Sequence, residues 1–245
     1  MATTTRANPL LRATNALILI NAIAFVWELA TGALTNGNTL VQHGALYGPL
    51  VAQGEWWRIV TGAFLHGGLL HIALNMFALY QVGLFLEVLL GAPRMLIVYA
   101  VSLLGGGIAV VLFNFNEVTV GASGAIFGIF GALVAIGLRL GKRGRGLVSQ
   151  TLPIIVINLA LTFTIPNISA AGHIGGLVAG FLAGLVLIMM HQAGSPAQAA
   201  AAYAAEGEVA PAESDEPSAQ DAHAEPVPAA HAAPDDPSAE PRGTQ

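Results

Sequence analysis

Residues 95–114 read MLIVYAVSLLGGGIAVVLFN and residues 119–138 read TVGASGAIFGIFGALVAIGL, two runs of twenty residues without one charged side chain. A helix that crosses the hydrocarbon core of a bilayer needs about 20 mostly apolar residues. The pair therefore reads as two adjacent membrane spans. Working outward, the same pattern recurs at 14–33, 69–90, 147–165 and 170–191, which predicts an all-α, polytopic transmembrane helix bundle with six spans. The first run follows Arg6 and Arg12 as a signal peptide would, but it is long for that role and lacks a clear small-residue cleavage site, so it counts as a span.

Composition agrees. The chain has 245 residues, 55% hydrophobic and 9% charged, and a mean hydropathy of +0.68. Soluble domains carry roughly a quarter charged residues. Cysteine is absent, which excludes disulfides, thiolate nucleophiles and thiolate metal sites. The net charge of −5 divides unevenly. Residues 1–192 hold eight Lys/Arg and four Asp/Glu, a net of +4, while residues 193–245 hold one Arg and ten Asp/Glu, a net of −9. No basic run is long enough to argue for nucleic acid.

Three regions follow: a cytoplasmic N-terminal segment at 1–13, the six-span region at 14–191, and an acidic Ala/Pro-rich tail at 192–245. The tail has a single aromatic, Tyr203, and cannot bury enough apolar surface to offset chain entropy, so disorder is expected. A passive solvated tail and an acidic docking segment both fit its composition. Residues 34–68 are too polar and too aromatic to cross, and Trp56 and Trp57 beside Arg58 suit an interfacial anchor. With the N-terminus in the cytoplasm, Arg6, Arg12, Arg94 and the Arg139, Lys142, Arg143, Arg145 cluster all fall inside and only Arg58 falls outside. That is a strong positive-inside bias, and it places both termini in the cytoplasm of a multi-pass protein of the cell membrane.

Ionisable groups inside a membrane are costly, so each is a functional candidate. The spans offer Glu28, His71, Glu87, His173 and His191, with Asn75 and Asn158 as strong polar groups. Glu28, Glu87 and His191 lie near span ends and are expected to snorkel to water. Spans two, four and six run in the same direction. His71, Asn75, Ser123 and His173 all fall in the first turns of those spans, within roughly 10 Å of one depth. His71 and Asn75 are also i, i+4 and share a helix face.

Around the serine the chain reads Gly121-Ala122-Ser123-Gly124-Ala125-Ile126-Phe127-Gly128. Small neighbours leave the hydroxyl unshielded, and a helix N-terminus offers free N–H groups to a developing oxyanion. The same glycines also suit a packing seam with Ser123 as one more small residue. His173 precedes Gly176 and Gly180, a small-xxx-small face able to bring span six against span four. Its imidazole can take a serine proton as general base, or simply be satisfied by a neighbouring carbonyl. Asn75 and His71 can donate to an oxyanion, or bond between helices. His66 reads as structural or interfacial and His43 as a loop residue.

Taken together, these segments resemble the rhomboid intramembrane serine proteases of the six-span bacterial type. Glu55-Trp56-Trp57-Arg58 resembles the family's Trp-Arg motif, and His66, His71 and Asn75 resemble its His…His-x-x-x-Asn pattern. Gly121-Ala122-Ser123-Gly124 matches Gly-x-Ser-Gly, and His173, Gly176 and Gly180 match His-x-x-Gly-x-x-x-Gly. The resemblance implies a dyad of nucleophile Ser123 and base His173 without an acidic third member. It implies an oxyanion site from Asn75, His71 and the Ser123 amide, supported by Gly121, Gly124 and Phe127. It implies no cofactor and no metal. Its substrates would be single-span transmembrane proteins in the lipid bilayer, cut near the outer end of a helix that unwinds easily. Two positions depart from the pattern: Gly172 stands where Ala is usual, and Phe127 where Tyr is common.

Other intramembrane proteases fail on inventory. No His-Glu-x-x-His site exists, and the first Asp is Asp215, in the tail. A catalytically silent rhomboid-like protein that binds membrane helices would be expected to lack the serine or the histidine. A transporter or channel would carry polar groups toward both faces, whereas these cluster near one.

Overall fold

The computed structural model describes residues 12–165 and 168–190. The expected acidic tail at 192–245, His191 and most of the N-terminal segment lie outside the described residues. Among the described residues the structure is helical, and its one β pairing is an isolated antiparallel bridge between Leu46 and Thr119.

Helix α1 (Ala13–Thr31) is closed by Gly32 at φ 72°, a left-handed conformation natural to glycine. The polar connection that follows folds into three short helices, α2 (Gly37–Gln42), α3 (Gly48–Ala52) and α4 (Arg58–Thr61). The second span is α5 (Leu69–Ala78), which passes through one wide π turn (Leu79–Gly83) into α6 (Leu84–Leu90). Helix α7 (Ala92–Phe113) carries Pro93 in its first turn, where a missing N–H costs nothing. Helices α8 (Ser123–Arg139), α9 (Arg145–Thr164) and α10 (Ala170–Met190) complete the bundle.

The six expected spans are all present as apolar helices, with shifted ends. Five helical stretches of 19 to 24 residues are long enough to cross, while α8 has 17. The chain is thus a multi-pass membrane protein. The fourth span was expected from residue 119, but α8 begins at Ser123. Gly121 stands at φ +120°, which breaks the helix, and residues 119–122 are instead held by the loop. Leu46 and Thr119 exchange N–H···O bonds of 3.1 and 2.9 Å, and Gly121 N–H donates to the Gly62 carbonyl at 2.9 Å.

Helix α8 is the centre of the bundle. A helix apolar all round must be buried all round, and from Ala125 to Leu133 every side of α8 is covered. Its tightest neighbour is α10. A Cβ on Gly176 would fall on the Gly124 carbonyl oxygen, and one on Gly180 on the Gly128 carbonyl oxygen. The small-xxx-small face of span six therefore does bring the two backbones into contact. Helix α7 closes the third side, with Gly106 against the Gly172 carbonyl and Gly124.

Two expectations about charged side chains are corrected. Glu87 does not reach water. It is buried and accepts from the Ala13 and Thr14 amides, each at 2.9 Å, and from the Thr14 hydroxyl at 2.6 Å. It thereby caps α1, whose first N–H groups have no acceptor of their own. Glu28 is fully buried and accepts from the His66 amide at 2.9 and 3.2 Å. In both cases a protein donor replaces the water that snorkelling would have sought. Arg58 is buried as well. It pairs with Glu55 and donates to the Val41 and Ala45 carbonyls at 2.6 and 3.0 Å, tying the loop together. Trp56 and Trp57 beside it are exposed, as an interfacial anchor requires.

Candidate active site

Three helix starts and one loop build the candidate site. Ser123 is the first residue of α8, so its own amide lies in the turn that has no intrahelical acceptor. Seventeen residues at a rise of 1.5 Å span about 25 Å, less than a hydrocarbon core of roughly 30 Å. If Arg139 in the last turn marks one boundary, that length sets Ser123 a few ångströms inside the other.

His173 stands in the first turn of α10 and is buried. Its Nε2 is 2.8 Å from the Ser123 hydroxyl. The glycine contacts just below set that distance: Gly124 and Gly106 both lie against the Gly172 carbonyl, one residue before the histidine. Phe127, one turn into α8, stacks on the imidazole with ring centroids 4.2 Å apart and planes within 17°. A ring without a hydroxyl suffices for that contact. The other nitrogen, Nδ1, is 2.7 Å from the hydroxyl of Thr162 on α9.

His71 lies across the serine. A Cβ on Gly121 would come within 2.8 Å of the His71 Nε2 and Cε1, and 3.8 Å from the Ser123 hydroxyl. Gly121 is thus the position where a bare Cα lets the two groups approach. His71 Nδ1 accepts from the Gly67 amide at 3.2 Å, which fixes the ring from the loop side and leaves Nε2 as the protonated nitrogen. Asn75, one turn further along α5, is buried. Its amide nitrogen donates to the His71 carbonyl at 2.9 Å, and its Oδ1 has no hydrogen-bond partner.

His66, at the end of the loop, is fully buried rather than interfacial. Its ring meets His71 edge to face at 5.2 Å, and neither ring nitrogen has a hydrogen-bond partner. Burial, with the neighbouring His71 as a smaller contribution, pushes its imidazole down to about 4, so it is neutral near pH 7. His43 sits against Trp27, in the loop as expected. The Asn158 side chain donates to the Ile154 carbonyl of its own helix at 2.8 Å and does not reach the serine's partners.

Thr162, Gly106 and the role of Glu28 carry no distinguishing signal in the sequence. Thr162 is four residues after Asn158 on span five, yet a threonine is too common in membrane helices to stand out. Among the described residues no group of three or more His, Cys, Asp or Glu could hold a metal ion.

A family model described as the rhomboid domain matches residues 53–190, more than half of the chain. The chain belongs to the rhomboid family. It is 41% identical over 171 residues to "Rhomboid protease GluP" of Bacillus subtilis (strain 168), which takes in 69% of this chain and 34% of that protein. It is 38% identical over 163 residues to "RHOMBOID-like protein 6, mitochondrial" of Arabidopsis thaliana, covering 65% of this chain and 53% of the relative. "RHOMBOID-like protein 5" of the same plant is 37% identical over 161 residues, 64% and 52% respectively. The chain thus spans between about a third and about a half the length of these curated relatives. The rhomboid match includes His71, Asn75, Ser123, Phe127, Thr162 and His173.

Proposed function

We propose that this chain is an intramembrane serine endopeptidase that cleaves single-span membrane proteins near the outer end of their transmembrane helix. The observation that carries the reading is the 2.8 Å contact between the Ser123 hydroxyl and His173 Nε2. It joins two helix starts that are fifty residues apart in sequence and have no packing need for a hydrogen bond there. The protease name of one relative is consistent with it.

The chemistry runs through the chain's own residues. Ser123 donates its hydroxyl hydrogen to Nε2, and its oxygen attacks the scissile carbonyl as that proton passes to the ring. The carbonyl oxygen becomes an oxyanion that accepts from the Ser123 amide, the His71 ring and the Asn75 amide. Collapse breaks the C–N bond while His173 returns the proton to the leaving amine. A water, activated by the same nitrogen, then hydrolyses the acyl-enzyme. Phe127 holds the imidazole plane, and Gly121 and Gly124 keep the approach to Ser123 narrow. No cofactor enters any step.

A substrate helix hides its carbonyls in i→i−4 bonds that lipid cannot replace. Since Ser123 lies a few ångströms inside one boundary, only the near end of the substrate needs to unwind, and Gly or Pro there should favour cleavage. The cation distribution makes that boundary the outer one and puts both termini in the cytoplasm.

The test is cleavage of a single-span model substrate in proteoliposomes. Ser123→Ala and His173→Ala are each expected to abolish turnover with the thermal transition retained, and the double variant to be no worse than either. Turnover by purified Ser123→Ala protein would refute the assignment, and a wild-type protein that binds substrate without cutting it would indicate a silent helix-binding role.

A further inference from the structure

We propose that Thr162 is a positioning residue that fixes the tautomer of His173, a third member of the site contributed by α9; the inference rests on the Ser123–His173 protease reading. The Thr162 hydroxyl has two close neighbours, the Asn158 carbonyl at 2.7 Å and His173 Nδ1 at 2.7 Å. A hydroxyl owns one hydrogen. A carbonyl oxygen is acceptor only, so at 2.7 Å the hydrogen must point to it, because two bare acceptors at that separation repel. The hydroxyl oxygen then accepts from Nδ1, and Nδ1 carries the ring proton of the neutral imidazole.

The consequence falls on the opposite nitrogen. With Nδ1 protonated, Nε2 has a bare lone pair, and it is Nε2 that lies 2.8 Å from the Ser123 hydroxyl. The hydrogen bonds form one directed chain: Ser123 O–H to Nε2, Nδ1–H to Thr162, Thr162 O–H to the Asn158 carbonyl. In the other tautomer Nε2 would hold a proton against the serine and no base would be present. The arrangement does for a Ser–His pair what a buried carboxylate does in a triad, without placing a charge in the membrane. Thr162 is itself buried, at 4% exposure, whereas its neighbours Leu161 and Phe163 are open at 47% and 68%. It is the one polar group that α9 turns inward beside the histidine.

The experiment uses the full chain in detergent, with Thr162→Val to remove the hydroxyl at constant shape and Thr162→Ser to keep it. Thr162→Val should lower kcat roughly tenfold with KM unchanged, the size of one hydrogen bond to a group that becomes charged, and Thr162→Ser should restore it. Imidazole ¹⁵N shifts, with the His173 signals assigned by their loss in His173→Ala, should show the Nδ1–H tautomer in wild type and a mixture in Thr162→Val. A wild-type ring in the Nε2–H form overturns the proposal without any variant. So does a Thr162→Val protein with wild-type tautomer and kcat. If Ser123-dependent turnover is absent altogether but the tautomer still changes in Thr162→Val, the protease reading fails and the Thr162 assignment stands.

Discussion

The seam between α8 and α10 and the flank formed by α9 build the same site by opposite means. Along the seam, glycines put backbone on backbone, and Gly176 and Gly180 leave no room for a methyl group against the Gly124 and Gly128 carbonyls. On α9, only Thr151, Ile155 and Thr162 are buried, and Val156, Ile157 and Phe163 are 60% exposed or more. Lipid is as apolar as a leucine, so apolar side chains by themselves do not drive α9 onto the bundle. Close van der Waals fit holds the seam, while α9 reaches His173 through one hydroxyl. The proposed nucleophile and base need a fixed separation, and the Ser123–His173 contact resides where side chains are absent.

Breaking the seam should have the largest effect. In Gly180→Ala the new methyl meets the Gly128 backbone, which cannot rotate away. A cost of about 3 kcal/mol is expected, the upper end of overpacking. In a chain of this size that lowers Tm by roughly 6–12 °C, with turnover lost as α10 is pushed from α8. A thermal melt in detergent beside a cleavage assay checks both, and an unchanged Tm would mean that the seam is looser than its glycines indicate.

Asn75→Ala separates chemistry from packing. Asn75 is one of three proposed oxyanion donors, and its loss should cost about 10²–10³ in kcat, with a much smaller change in Tm than Gly180→Ala. Full kcat at saturating substrate would leave Asn75 with only its bond to the His71 carbonyl.

Phe127→Leu keeps the volume near the imidazole but removes the stacked face. Aromatic pairing of this kind contributes about 0.5–1.5 kcal/mol, so turnover should fall by about tenfold at most, read as kcat in the same assay. Smallest of all is Ile157→Ala on the lipid-facing side of α9. Its Tm should move by less than about 2 °C, as for exposed substitutions elsewhere. A large loss there would reveal a partner surface on α9 and undo the contrast with the seam.

Much of this molecule could be read before any coordinate. Six apolar stretches become six helices, because burying a backbone in lipid demands internal hydrogen bonds and hydropathy sums are local. The glycine spacing of span six dictates its contact with α8, since only small residues permit that approach. The shared depth of His71, Asn75, Ser123 and His173 follows from helix rise and alternating direction. What the sequence could not decide was which group meets which. Glu28 and Glu87 look like side chains seeking water, yet one holds the His66 amide and the other caps α1. Residues 119–122 have the hydropathy of a span but are drawn into a bridge with Leu46. Thr162 is one of several threonines on span five, and only the rotation of α9 sets it against His173. Hydropathy and spacing fix which helices form and how deep each residue lies. In a low dielectric, however, a polar group takes whichever donor or acceptor the packing brings nearest, and that choice belongs to the tertiary structure.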